Sequence, residues 1–323
     1  MNEKSKGEPD PEVGAVSTWA GRAIESISSS FYGSSTAIEL ALCTLLCRGH
    51  LLIEDVPGVG KTILARALSQ FVGGAFRQIQ CTPDLLPADI LGVSIFHQAS
   101  GSFRFREGPI MTNTLLVDEI NRATPRTQSA LLEAMAEGQV SVESTTMKLP
   151  DPFFLIATQS PLESEGTFPL PEVQKDRFFL SLALGYPTRE DELRIMADPP
   201  RDGSRAAEAP LGQIASLQQA VTSVYVAEEL KDYIVELVTR TRNEPRLAIG
   251  VSPRGSLALF KGCQALAAVR GRDYVVPEDI KDIAAPVLSN RILFKPETAA
   301  RGTTPANYIL ELLSSVPVPG YER

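Results

Sequence analysis

The chain has 323 residues, 43% hydrophobic and 22% charged, with 31 basic against 39 acidic side chains and a formal charge of −8. That is enough apolar surface for one large domain or two modest ones, and the acidic balance argues against a sequence-indifferent grip on nucleic acid or anionic lipid. No apolar run approaches the ~20 residues of a membrane span, "MNEKSKGEPDPEVG" lacks the apolar stretch of a secretory leader, and the four cysteines follow no disulfide or zinc spacing; a reduced, cytoplasmic protein without direct membrane insertion is expected.

Residues 1–16, polar and rich in Glu, Pro and Gly, read as a disordered tail. From 17 to 184, short β-rich runs alternate with helical patterns: "LLIED" (51–55), "FRQIQC" (76–81), "TLLVD" (114–118), "FFLIAT" (153–158) and "FFLSLAL" (178–184). This alternation predicts an α/β fold, a mostly parallel five-stranded sheet covered by helices in an αβα arrangement. Two stretches, 93–107 and 139–149, alternate with period two around short turns and read as β-hairpins inserted into that core. Decoration and a functional role are equally open for them. From 185 to 323 helical patterns dominate, at 227–242, 253–270, 277–289 and 305–315, and proline stands at or near the start of three of them. A small all-helical lid domain is expected there, with the Pro-, Gly- and charge-rich loop "ADPPRDGSRAAEAP" between its halves.

The stretch "EDVPGVGKT" (54–62) ends as a phosphate-binding loop does, in Gly60-Lys61-Thr62, between a strand and a helix. Loop residues Pro57 to Ile63 would cradle phosphates through backbone N–H groups, with Gly58 and Gly60 taking the unusual backbone angles. Lys61 would reach the β- and γ-phosphates, and the Thr62 hydroxyl would face Mg²⁺. The pattern's first glycine is replaced by Asp55, a residue that tolerates turn geometry. The second acidic element is "TLLVDEIN". A strand ending in Asp118-Glu119 suits an acid that holds Mg²⁺ and a neighbour that polarises water, although such a pair also caps helices. A phosphate loop in the same chain favours catalysis. In "LIATQSP", either Gln159 or Ser160 could stand near the attacking water. Arg177, in "LPEVQKDRF", and Arg254, in "VSPRGS", are candidates for sensing the γ-phosphate.

Taken together, "EDVPGVGKT", "IQCTPDLLPADILG", "REGPIMTNTLLVDEINRATPRTQSALLEAM", "EGTFPLPEVQKDRF" and "VSPRGSLAL" resemble the MoxR branch of the AAA+ ATPases over nearly the whole chain from about Ser26. The resemblance implies an AAA+ P-loop core with Tyr32 and Gly33 lining an adenine pocket. It implies that Asp118 and Glu119 look like the Walker B pair, Arg177 like an arginine finger acting on a neighbouring subunit, and Arg254 like sensor 2. Hairpin 93–107 would be the family's insert within its second helix, and 139–149 its pre-sensor hairpin. Where the family usually reads "ATQNP", this chain has Ser160 at the sensor 1 asparagine. The family further implies ATP and Mg²⁺ as ligands, a homo-oligomeric ring commonly of six, protein clients to be remodelled or matured, and a partner with a von Willebrand factor A domain. Two other functions compete: a nucleotide-gated scaffold that barely hydrolyses, supported by Ser160, and a nucleic-acid motor, disfavoured by the charge of −8.

Overall fold

The computed structural model describes residues 10–98, 101–142, 145–160, 166–197, 211–299 and 302–319. Its strands are β1 (Leu51–Glu54), β2 (Phe76–Gln80), β3 (Gly92–His97), β4 (Ser102–Glu107), β5 (Thr114–Asp118), β6 (Gln139–Val142), β7 (Thr145–Lys148), β8 (Phe154–Gln159), β9 (Leu180–Leu182), β10 (Leu247–Ile249) and β11 (Leu293–Phe294). Its helices are α1 (Pro11–Ser28), α2 (Ser35–Leu46), α3 (Lys61–Val72), α4 (Pro87–Leu91), α5 (Pro125–Glu137), α6 (Glu172–Lys175), α7 (Arg189–Ala197), α8 (Gln213–Thr222), α9 (Glu228–Arg242), α10 (Pro253–Val269), α11 (Pro277–Leu288), α12 (Pro296–Ala299) and α13 (Pro305–Ser315).

Contacts divide the chain into two units. One comprises residues 26–37 and 48–211, the other 1–25, 38–47 and 212–323. The first is built on a five-stranded sheet in the order β2-β5-β8-β1-β9, every pair parallel. The inner strands are apolar without interruption because both faces are covered, as parallel sheets require. The register puts Leu52, Leu115, Val117, Leu155 and Ala157 on one face, where they form a core with Leu131, Leu132 and Met135 of α5. Leu51, Ile53, Leu116 and Ile156 point to the opposite face, where α3 packs. Pairs β3–β4 and β6–β7 are the two expected hairpins.

The second unit centres on α10, whose C-terminal half, Gly262 to Val269, is buried throughout, packed by α8, α9 and α11. Proline opens α10, α11 and α13 at positions that need no N–H donor. The fully buried Asp279 is held there by Arg272 through two bonds of 2.7 and 2.6 Å, and by the Val276 N–H at 3.0 Å. Arg270 links the same acid to Glu39 of α2. A buried carboxylate is tolerable only when its acceptor sites are used in this way. No helix among the described residues is long and apolar enough to cross a membrane.

Two expectations need correction. The tail predicted over 1–16 is helical from Pro11; residues 1–9 lie outside the described residues. Asp10 caps the helix, accepting from the Glu12 N–H at 3.0 Å, and Val13, Val16, Ala20, Ala23 and Ile27 supply a buried face at helical spacing. The expected division into a core of 17–184 and a lid of 185–323 also shifts. Residues 185–197 group with the sheet, whereas most of α1 and α2 group with the C-terminal helices. The Pro- and Gly-rich loop over 198–210 lies outside the described residues.

His50, at the start of β1, connects three elements of the sheet unit. Its Nδ1 accepts from the Leu155 N–H at 3.1 Å, so the proton sits on Nε2, which donates to the Met135 carbonyl at 3.2 Å. Burial pushes the imidazole pKa down from 6.5 to about 4. Between those values the unfolded chain binds the extra proton, so the stability contribution is complete above pH 6.5 and fades as pH falls toward 4. Urea unfolding should show a loss of about 2 kcal/mol between pH 7 and pH 5, a slope that His50→Gln removes. Equal slopes in the two proteins would show that His50 is not the responsible group.

Candidate active site

The loop 56–62 leaves the carboxyl end of β1 and enters α3. Gly58 and Gly60 have φ of 89° and 91°, in the left-handed region where any side chain is strained. A Cβ at Gly58 would meet nothing within 4 Å, so the loop is open at that point. Helix α3 begins at Lys61 with no side-chain cap, so the N–H groups of its first turn, which have no intrahelical partners, are the donors that an anion site at a helix start uses. Lys61 Nζ donates to the Asp55 carbonyl at 2.7 Å, which leaves donors for further oxygens. Burial lowers the Lys61 pKa, and the negative charges of Asp118, Asp55 and Glu119 act against that shift.

Those two acids stand at the end of β5, and β8 lies between them and β1. Thr158, fully buried in β8, ties the corner together: its hydroxyl donates to Asp118 and accepts from the Glu119 N–H at 3.0 Å. Glu119 has φ 54° and ψ 52°, a left-handed conformation that a non-glycine residue keeps only when its surroundings enforce it. Its carboxylate Oε2 accepts from Gln80 Nε2 at 3.1 Å and from Arg122 at 3.0 Å. Thr62 and Ile63 are half-buried in the first turn of α3, Val59 is buried and Pro57 exposed.

Gln159, the last residue of β8, gives its amide to Glu54 and is 9% exposed, and Ser160 follows it, half-buried. Glu54 also accepts from Ser181 at 2.8 Å and pairs with Lys175 at 3.4 Å. Tyr32 and Gly33 follow Phe31, whose ring is the closer neighbour of the loop. A Cβ on Gly33 would strike that ring at 2.6 Å, and one on Gly60 would meet it at 3.2 Å. Phe31 is thus wedged between the two segments.

Arg177 immediately precedes Phe178 and the edge strand β9, but that edge adjoins β1, the strand carrying the loop. A finger that serves only a neighbouring subunit calls for a place at the edge far from the loop, and the pairing of β9 with β1 does not give Arg177 that place. The separation is one of faces, because the Arg177 guanidinium turns onto α5 and donates to the Leu132 carbonyl at 2.8 Å. Arg254 is exposed in the first turn of α10, in the helical unit, and so is not among the residues that the sheet unit brings together by itself.

Residues 50–180 match the model of the ATPase family associated with various cellular activities (AAA), and residues 239–309 match an AAA lid domain. Chaperone MoxR1 of Mycobacterium tuberculosis is 39% identical over 310 residues, covering 92% of this chain and 82% of that protein. The chain belongs to the MoxR-type AAA+ ATPases. The YeaC protein of Bacillus subtilis is 47% identical over 304 residues, 93% of this chain and 94% of YeaC. A crystal structure from Cytophaga hutchinsonii, of a protein proposed to be an ATPase, superposes with a TM-score of 0.87 at 34% identity, covering 95% of this chain and 97% of that one.

In this MoxR-type ATPase, motif reasoning missed Gln80, Thr158, Arg122 and Phe31. The first two carried a usable signal, being polar residues at or near strand ends, where the register places them beside Asp118-Glu119. Thr158→Val exchanges hydroxyl for methyl at nearly constant volume and removes a partner from both acids' residues. We expect a loss of about 1–3 kcal/mol in denaturant unfolding, with faster hydrogen exchange at the Glu119 amide. A variant as stable as wild type would mean that the hydroxyl does not hold this corner.

Proposed function

We propose that this protein hydrolyses ATP in a ring of identical subunits and uses the cycle to remodel or mature client proteins. The observation that carries the reading is that Lys61, at the head of α3 after β1, and Asp118-Glu119, at the end of β5, stand at the same carboxyl end of one parallel sheet with only β8 between their strands. Lys61 and the N–H groups of loop 57–63 would bind the phosphates, with Tyr32 and Gly33 on the adenine side. The Thr62 hydroxyl and the Asp118 carboxylate are the hard oxygen donors that Mg²⁺ prefers. Mg²⁺, when bound, neutralises charge building on the phosphate oxygens. Glu119 would orient the attacking water and take its proton, and Ser160, from the adjacent strand end, would help position that water. By the family resemblance, Arg254 would act as sensor 2.

The name of the mycobacterial relative supports a chaperone role, and the family resemblance supports a ring, taken as a hexamer, with a von Willebrand factor A domain partner. The charge of −8 supports protein rather than nucleic acid as the substrate. Ser160 favours a second reading, a scaffold that binds ATP and assembles but turns over slowly. Steady-state turnover separates the two.

Lys61→Ala should abolish Mg·ATP binding, whereas Glu119→Gln should bind normally and lose at least about 10²-fold in hydrolysis. Equilibrium binding and phosphate release measure the two effects. Undiminished ATP binding by Lys61→Ala would defeat the assignment.

Arg177 faces α5 while Lys61 heads α3 on the other side of the sheet, which supports action on a neighbour's nucleotide. A guanidinium delivered to the γ-phosphoryl group is worth ~10³–10⁵ in rate in other nucleotide hydrolases. Arg177→Ala should bind ATP and hydrolyse poorly. Mixing it with Lys61→Ala subunits should restore part of the activity where a sound loop meets a sound arginine. Failure to complement despite demonstrated co-assembly would place Arg177 in its own subunit's site or outside the mechanism.

A further inference from the structure

Asp55 stands where the phosphate-loop pattern has its first glycine, and the structure gives its side chain definite work. One carboxylate oxygen accepts from the Val56 N–H at 2.7 Å. The other accepts from both the Leu184 and the Gly185 N–H, each at 2.7 Å. The main-chain carbonyl of the same residue accepts from Lys61 Nζ at 2.7 Å. A single residue therefore touches the first amide of the loop, the lysine of the loop, and two amides 129 and 130 residues further on. A glycine could make only the carbonyl bond.

Leu184 and Gly185 are where the chain leaves the sheet. The ladder of β9 to β1 ends at the Ile53–Leu182 pair, and Gly185 then turns with φ 71°. A Cβ there would meet nothing within 4 Å, so glycine is needed for its backbone angle and not for space. Beyond the turn the chain enters α7, which buries none of its residues, and in sequence the helical unit resumes at Gly212. Two N–H groups donating to one ionised oxygen make a charge-assisted bracket that fixes the direction of exit.

We propose that Asp55 is a coupling residue, transmitting the state of the phosphate loop to the chain segment leading out toward the lid. The proposal rests on the ATPase reading above. Lys61 must serve both the Asp55 carbonyl and the phosphates, so a change of nucleotide changes its pull on Asp55. The Asp55 carboxylate carries that displacement to Leu184 and Gly185. Asp55 positions other groups and touches no reacting atom.

Hydrogen exchange of the 184–185 segment in the full-length protein, with and without saturating Mg·ATP, tests this alongside ATP binding and steady-state kinetics. In wild type, both amides should exchange slowly and respond to nucleotide. In Asp55→Gly they should exchange at least about tenfold faster and lose that response, since each has lost a charge-assisted bond. ATP affinity should stay within about tenfold while kcat falls by about tenfold or more and KM moves little. Asp55→Asn, which keeps an acceptor oxygen and the side-chain volume, should lie between the two and guards against simple loss of fold. A wild-type protein that does not bind ATP overturns the ATPase reading and this proposal with it. A wild type that binds ATP, with a nucleotide response or kcat unaltered in Asp55→Gly and Asp55→Asn, overturns the coupling alone.

Discussion

Two adjacent carboxylates at the end of β1, those of Glu54 and Asp55, fix the frame on which the candidate site is mounted. Strand β1 is held on both sides, by β8 and by β9, but a ladder ends where the strand ends. Beyond it, Glu54 takes hydrogen bonds from β8 through Gln159 and from β9 through Ser181, and an ion pair from Lys175. Asp55 then takes the loop's first amide and the two amides of the exit turn. Half-buried carboxylates are costly unless their lone pairs are used, and here they are used by groups from different elements. The result is a rigid corner from which a glycine-rich loop can project without losing its bearings.

The same logic is repeated one strand further along. Thr158 in β8 fastens the end of β5 and supports the strained conformation of Glu119. Gln80, at the end of β2, and Arg122 then fix the direction of the Glu119 side chain. Four strand ends thus contribute to one edge of the sheet, the edge at which open α/β folds place their ligands. The functional edge is polar by necessity, because each strand that ends there stops donating to its neighbour and its end groups must find other partners.

Much of this was legible in advance, for identifiable reasons. Strands such as "TLLVD" and "FFLIAT" announce themselves because a sheet covered on both faces needs continuous apolar residues. The phosphate loop is legible because its chemistry is local, with spacing, glycines, lysine and hydroxyl all within a few residues. Helix α1 was misread because Gly14, Gly21 and its serines dilute the apolar signal, although Asp10-Pro11 and the spacing of Val13, Val16, Ala20 and Ala23 were present. Asp55 could be flagged as a departure but not explained, since its partners lie 129 and 130 residues away. The same holds for Phe31 against Gly60: a wedge exists only once the chain has folded.

The arrangement of Arg177 follows from how a covered sheet divides space. Helix α3, which starts at the loop lysine, and α5, which receives Arg177, lie on opposite faces, and the buried side chains of β1, β5 and β8 fill the interval. An arginine committed to the α5 face cannot easily return to its own loop without abandoning the Leu132 carbonyl. That anchor uses one of five N–H donors and leaves the planar group oriented for others. Holding a long side chain in place beforehand lowers the entropy lost when it meets an anion. If the loop of one subunit takes the arginine of the next, as proposed, the contact is head-to-tail, and head-to-tail contacts generate rings when the rotation closes. The sheet that separates loop from arginine within a subunit is therefore the physical basis for expecting them to meet between subunits.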